Sequence, residues 1–438
     1  MMTAIDTLIS ARWIIPIEPA QLALEHHSIA IHDGRIADLL PTTDATARYT
    51  ATEHIQLNQH ALTPGLVNLH THAAMSLMRG LADDLPLMTW LKDHIWPAEM
   101  KHVAPAFVKD GTMLACAEML RGGVTCFSDM YFFPEAAAQA VDQAGLRAAI
   151  GIIAMEFPTS YAADAEDYLR KGLEARDAYR EHARLNFCMA PHAPYTVSDK
   201  TFEKMLMLAE QLDIPIHIHM HETQDEIRHS VAEHHLRPLA RLQKLGLLSP
   251  SLIAVHMVHL SEDEIALCAE RGVNVAHCPV SNLKLGSGIA PIAQLLAAGV
   301  NIGLGTDGAA SNNRLDLMNE MRIAALLAKG ASGDATALPA HQALAMATIN
   351  GAKALGLDQE IGSLKIGKAA DIVAFDLATL ETAPCYDIAS HLVYAAGREH
   401  VSDVWVGGRR LLNNRTLTTL DTQDIAARAA HWQSVLRS

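Results

Sequence analysis

Residues 63–72 read TPGLVNLHTH: a Pro-Gly turn, a mostly apolar run, then two histidines one residue apart. A short run of this kind, bounded by turn residues, is the pattern of a strand in a parallel sheet covered on both faces. In a strand, His70 and His72 point the same way, so both rings can face one ligand. Seven comparable runs follow, at 124–129, 147–154, 185–191, 215–220, 252–256, 273–277 and 301–306. Between them apolar residues recur at helical spacing, as at 106–121, 199–212, 261–271 and 314–329. Eight alternating units predict an α/β fold, a (β/α)8 TIM barrel.

The two ends of the chain have a different texture. Residues 8–17 are apolar, and 28–40 alternate around Asp33-Gly34, a hairpin turn signal. Residues 370–377 and 402–412 are also strand-like, the second run carrying Gly407-Gly408, and 421–436 predict a terminal helix. Both ends are therefore β-rich.

With 438 residues, 50% of them hydrophobic and 19% charged, the chain can bury a large core. A net charge of −15 argues against nucleic acid or an anionic membrane as partner, but not against a nucleoside held in a pocket. Six scattered cysteines without a CxxC pair predict reduced, buried thiols of a cytoplasmic protein. The first residues lack a signal-peptide pattern, and no run of about 18 apolar residues predicts a membrane span.

Barrel chemistry sits at the C-terminal ends of the strands. Those ends carry His70 and His72, Asp129, His192, His219, His256, His277 and Asp307. Three imidazoles and a carboxylate could bind one metal, with a free carboxylate and a free imidazole beside it. That is equipment for metal-assisted hydrolysis, since such a metal activates water at neutral pH. An HxH pair alone is weak, because 24 histidines in this chain produce about one by chance. The weight lies on the agreement between strand ends and residue types. Spacing alone leaves His217, His219 and His221 open as the third ring.

TPGLVNLHTH resembles the first-strand signature of the amidohydrolase superfamily. The match continues through HMHETQDE near 220, AVHMVHLS near 256, AHCPVSNLKLGSG near 280, GLGTDGAASNN near 307 and IGSLKIGKAADIVAFD near 370. It covers nearly the whole chain, with six motifs in order. Within the superfamily the chain is most similar to the 5-methylthioadenosine/S-adenosylhomocysteine deaminases and their triazine-hydrolase and guanine-deaminase relatives. The resemblance implies a small β-sandwich domain from 1–62 and 362–438 around a barrel at 63–361.

It also implies roles. His70, His72, His219 and Asp307 would hold one Zn2+ per subunit, with Fe2+ or Mn2+ as alternatives. His217 would be a packed neighbour and His221 a pocket-wall residue. Dinuclear relatives carry a carboxylated lysine at the end of strand four; here that end reads Met189-Ala190-Pro191-His192. Glu222 would be the acid/base that also touches the substrate ring, His256 would hydrogen-bond the attacking oxygen, and Asp307 would pass a proton to ammonia. Glu99 would accept the two hydroxyls of a ribose diol, and His192 would contact sugar or purine. His277 and Asn282 would line the pocket or brace the last strands.

The loop 156–161 is one departure. Relatives that take S-adenosylhomocysteine well place arginines there, and this chain has none between Arg147 and Arg170. The expected substrate is therefore 5′-methylthioadenosine, then adenosine, ahead of S-adenosylhomocysteine. The alternatives are another aminoheterocycle hydrolase, such as a guanine deaminase or s-triazine hydrolase, or an inactive homologue serving as a binding scaffold. A small-molecule nucleoside and water are the expected partners, and the resemblance implies a homodimer or homotetramer.

Overall fold

The structure is a computed structural model describing residues 2–437. Its centre is a sheet of eight parallel strands: β1 (Leu66–Thr71), β2 (Val124–Asp129), β3 (Arg147–Ala154), β4 (Leu185–Pro191), β5 (Ile216–Met220), β6 (Leu252–His256), β7 (Asn274–His277) and β8 (Asn301–Leu304). Each pairs with the next in chain order, and helices fill the crossovers. β1 and β8 close the ring. Asp307 N–H donates to His70 O at 3.0 Å, and Asn68 bridges to Thr306 through two side-chain bonds of 2.7 and 3.0 Å. Val67, Leu69, Cys126, Ala149, Ile253, Val255 and Ala276 belong to one buried apolar cluster beneath the site.

Gly305 permits this closure. A Cβ there would meet His70 Cβ at 2.8 Å and Cys278 Sγ at 2.9 Å. The strand expected at 301–306 therefore stops at Leu304, and the chain turns so that Asp307 adopts φ +60°. The helix expected from 314 begins at Leu317, because the Asp316 side chain caps it by accepting the Asn319 N–H at 3.2 Å.

The small sandwich expected from the two ends is built as one continuous eight-stranded sheet. Its order is Thr416–Leu417, Arg409–Asn413, Val401–Val406, Ile372–Asp376, Tyr49–Pro64, Thr3–Ile14, Leu24–His32 and Arg35–Pro41. Among the described residues, only Thr3–Ile14 with Tyr49–Pro64 is a parallel pair in this sheet. Asp33-Gly34 and Gly407-Gly408 are tight hairpin turns, with all four residues at positive φ. The last helix, Thr422–Arg437, returns to the barrel. Trp432 packs edge-on to Phe107 at 5.1 Å, and its indole N–H donates to Asp110 at 2.9 Å.

Candidate metal centre and catalytic pocket

Four donors converge at the C-terminal mouth of the barrel. Nε2 of His70 and Nε2 of His72 each lie 3.3 Å from Asp307 Oδ1. His219 Nε2 lies 3.3 Å from His72 Nε2. Donor atoms about 3.3 Å apart are the spacing around a tetrahedral ion with bonds of about 2.0 Å. Among the described residues the buried His70 Nε2 makes no well-formed hydrogen bond and faces only the Asp307 carboxylate, the condition of an atom whose partner is a cation.

A second bond orients each ring, as metal ligands require. His70 Nδ1 lies 3.0 Å from His217 Nε2, whose other nitrogen faces Ser128 Oγ at 3.2 Å. His72 Nδ1 donates to Met130 O at 2.5 Å, and His219 Nδ1 to His192 O at 2.6 Å. Asp307 Oδ2 accepts the hydroxyls of Ser281 at 2.6 Å and Ser311 at 3.0 Å.

The electrostatics ask for positive charge at this point. Burial drives the pKa of His70 down to about 4, with Asp307 offsetting part of the shift. Burial, then neighbouring imidazoles, hold His219 well below its usual value, so both rings stay neutral. Burial opposes charge on His72 too, yet Asp307 and the Met130 carbonyl outweigh it and raise its pKa to about 9. Burial alone would raise Asp307, but His70 and His72 keep it well below the carboxylate range. The residues fit a divalent cation with nitrogen and oxygen ligands.

Beside the donors stand Glu222 and His256. Their facing atoms, Glu222 Oε2 and His256 Nε2, are 3.8 Å apart. Asn282 Oδ1 fixes His256 Nδ1 at 2.8 Å, and Ser287 Oγ donates to Glu222 Oε1 at 3.3 Å. Burial raises the pKa of Glu222, with His256 opposing. A carboxyl that binds protons more readily than usual suits acid/base work near neutrality.

His72, His219, Asp307, Glu222 and His256 line one cavity of about 350 Å3, while His70 is fully buried behind them. Glu99 and His192 line it as well. Glu99 is half-buried on the helix Trp96–His102, which follows a single π-helical stretch, Trp90–Ile95. Tyr131 Oη donates to Glu99 Oε1 at 2.8 Å. Burial pushes the pKa of Glu99 up to about 7, the Tyr131 bond opposing. His192 keeps its ring by a 3.0 Å bond to Thr196 Oγ1, and burial lowers its pKa to about 3.

A model of the amidohydrolase family matches residues 61–411. The chain belongs to the amidohydrolase family. Among its relatives, a 5-methylthioadenosine/S-adenosylhomocysteine deaminase of Saccharophagus degradans is 51% identical over 98% of this chain and 97% of its own length. A protein of the same name from Teredinibacter turnerae is 49% identical over 99% and 98%. A crystal structure of an adenosine deaminase from Xanthomonas campestris with bound zinc superposes with a TM-score of 0.99 at 50% identity, covering 100% of both chains. An atrazine chlorohydrolase from Arthrobacter aurescens, also complexed with zinc, gives 0.90 at 25% identity over 98% of this chain and 100% of that one.

Within this amidohydrolase, the expected residues His70, His72, His219, Glu222, His256 and Asp307 come together at one place. His217 is a hydrogen-bonding neighbour of His70. His221 departs from the expectation of a pocket-wall residue. Fully buried, it faces His259 O through Nδ1 at 3.0 Å and accepts the Leu239 N–H at Nε2, also 3.0 Å. Asn282 and His277 do not line the cavity; Asn282 braces His256. Cys278, buried with its pKa pushed well up by burial, stays a thiol. Ser281, Ser287 and Ser311 were visible only as parts of the motifs near 280 and 307, and Tyr131 lies outside every motif, because each acts across a tertiary contact. Glu226 was visible only as part of HMHETQDE.

Proposed function

We propose that this amidohydrolase is a metal-dependent hydrolytic deaminase of adenosine-type nucleosides. Its best substrate is 5′-methylthioadenosine, giving 5′-methylthioinosine and ammonia, with adenosine and S-adenosylhomocysteine less favoured. One observation carries this: the metal donors His72, His219 and Asp307, a buried carboxylate with raised proton affinity and the Glu99 carboxylate all border a single cavity, with His70 buried directly behind them. The names of the full-length relatives and the bound zinc of two structural neighbours support it.

His70, His72, His219 and Asp307 would hold one Zn2+ per chain, with Fe2+ or Mn2+ as alternatives. When bound, the ion supplies Lewis acidity that makes water nucleophilic at neutral pH. Glu222 takes the proton from water and delivers it to the ring nitrogen beside the attacked carbon. His256, held by Asn282, donates a hydrogen bond to the attacking oxygen. Asp307 passes a proton to the departing amine. Water and nucleoside thus become ammonia and a ring carbonyl. Glu99 accepts the ribose hydroxyls through its two oxygens, and His192 contacts sugar or purine.

The far end of the cavity supports the substrate order. Trp96 and Phe157 lie 5.8 Å apart there, and no Arg or Lys lines the cavity among the described residues. A methylthio group suits this wall, whereas an amino-acid carboxylate would be left without a partner. We also propose division into 1–62 with 362–438 and 63–361, a homodimer or homotetramer, and a cytoplasmic setting. Among the described residues, no helix is long and apolar enough to cross a membrane.

Ultraviolet-monitored turnover of zinc-loaded protein tests the reading, with 5′-methylthioadenosine, adenosine, S-adenosylhomocysteine, adenine and guanine as the panel. Fast loss of the adenine chromophore with the first and slow loss with the third is expected. No deamination of any member, with metal bound, would move the substrate to another aminoheterocycle, such as an s-triazine.

A further inference from the structure

Thr223-x-x-Glu226 and Ser261-x-x-Glu264 have the same capping-box pattern. At Ser261 the motif closes in the ordinary way, with Glu264 returning to the N-cap backbone N–H at 2.9 Å. At Thr223 it does not. The Thr223 hydroxyl accepts the Glu226 N–H at 3.2 Å, but the Glu226 carboxylate reaches past the cap. Oε1 accepts the His221 N–H and Oε2 the Glu222 N–H, both at 2.8 Å.

The two N–H groups converge because His221 sits at φ +53° directly after β5. This is a backbone nest that binds an anion. Its occupant is costly: Glu226 is buried, and burial opposes its charged form while the two amide bonds favour it. Helix capping does not need that cost, since Glu264 caps its own helix while paired with Arg237 at 2.7 Å. What the carboxylate does hold is the peptide that carries Glu222, between the metal-donor strand and the cavity.

We propose that Glu226 is a positioning residue for Glu222: its two oxygens clamp the 221–222 turn and fix where the Glu222 carboxyl stands relative to the ring under attack. The proposal rests on the assignment of Glu222 as acid/base. Glu226 lines no part of the cavity and touches no metal donor side chain, so its effect must pass through Glu222. Glutamine keeps one acceptor and turns an N–H donor onto the second amide, so it preserves half the clamp.

The test is kinetics on the zinc-loaded enzyme. Glu226→Gln should cut kcat about tenfold and Glu226→Ala about a hundredfold, the scale of a small misplacement of a catalytic group. KM, zinc content and affinity for the deaminated nucleoside should stay within about twofold of the parent. A double-mutant cycle with Glu222→Gln then decides the route, read by ammonia release over long incubations. With Glu222 already disabled, Glu226→Gln should remove nothing more. The proposal is overturned if kcat is unchanged, if zinc is lost in step with activity, or if Glu226→Gln lowers the residual rate of Glu222→Gln by its full factor. Full turnover by Glu222→Gln alone would instead remove the acid/base assignment. Should Glu226→Ala fail to fold, Glu226→Asp, one methylene short of spanning both amides, should show the same kcat-selective loss, and parental kcat would again overturn the clamp.

Discussion

At the metal end of the cavity every donor ring is held by a second hydrogen bond, while at the far end Trp96, Phe157 and Pro158 present mainly apolar surface. The first end is built on strand termini. The second is built on the helix after Trp90–Ile95 and on the loop following Ala154. Chemistry needs donors fixed to a fraction of an ångström, and strands supply that. Substrate choice needs only shape and charge, which loops can vary without moving the donors. The contrast predicts large, substrate-blind losses at one end and small, substrate-selective ones at the other.

The largest effect belongs to Glu222→Gln. It should lower kcat about 10³-fold for every substrate while zinc content, measured by metal analysis, stays at the parental level. Next come the groups behind the donors. His217→Ala or Ser281→Ala should weaken zinc affinity or activity about 10- to 100-fold, read by competition with a chelator. A loss confined to one substrate would contradict the division between the two ends.

Glu99→Ala should cost nucleosides about tenfold in kcat/KM and leave free bases unaffected, since only the former offer a diol. The same residue predicts a pH effect. Its pKa is raised to about 7, so below that pH the carboxyl is protonated and accepts hydroxyls poorly. KM for nucleosides should therefore fall as pH rises through about 7, and a flat KM profile would remove Glu99 from the diol. The smallest change is Ser160→Arg in the far loop. Set against a substrate carboxylate, it should shift preference toward S-adenosylhomocysteine by roughly fivefold, the worth of a partly exposed ion pair.

Much of the metal end could be read in the chain because strand ends put the right residue types at one mouth, and the family resemblance then chose His219 over His217 and His221. His70 lies in β1 and His72 one residue past its end, with both Nε2 atoms on Asp307, and the strands ending at Met220, His256 and Leu304 place His219, His256 and Asp307 around the same mouth. What could not be read depends on tertiary turns. Ser281 and Ser311 reach Asp307 only because Gly305 allows β8 to approach His70 and the chain then turns at positive φ. Tyr131 meets Glu99 from another unit, 32 residues away. His221 looked like a wall residue by its place beside Glu222, but its backbone conformation turns the ring into the protein, where Leu239 and His259 hold it.

The most direct measurement is activity against metal content. Chelated protein should be titrated with zinc while ammonia release from 5′-methylthioadenosine is followed. Activity should rise linearly and saturate at one zinc per chain, with one ammonia formed for each nucleoside consumed. Full turnover by metal-free protein, or no turnover at any zinc loading, would contradict the account.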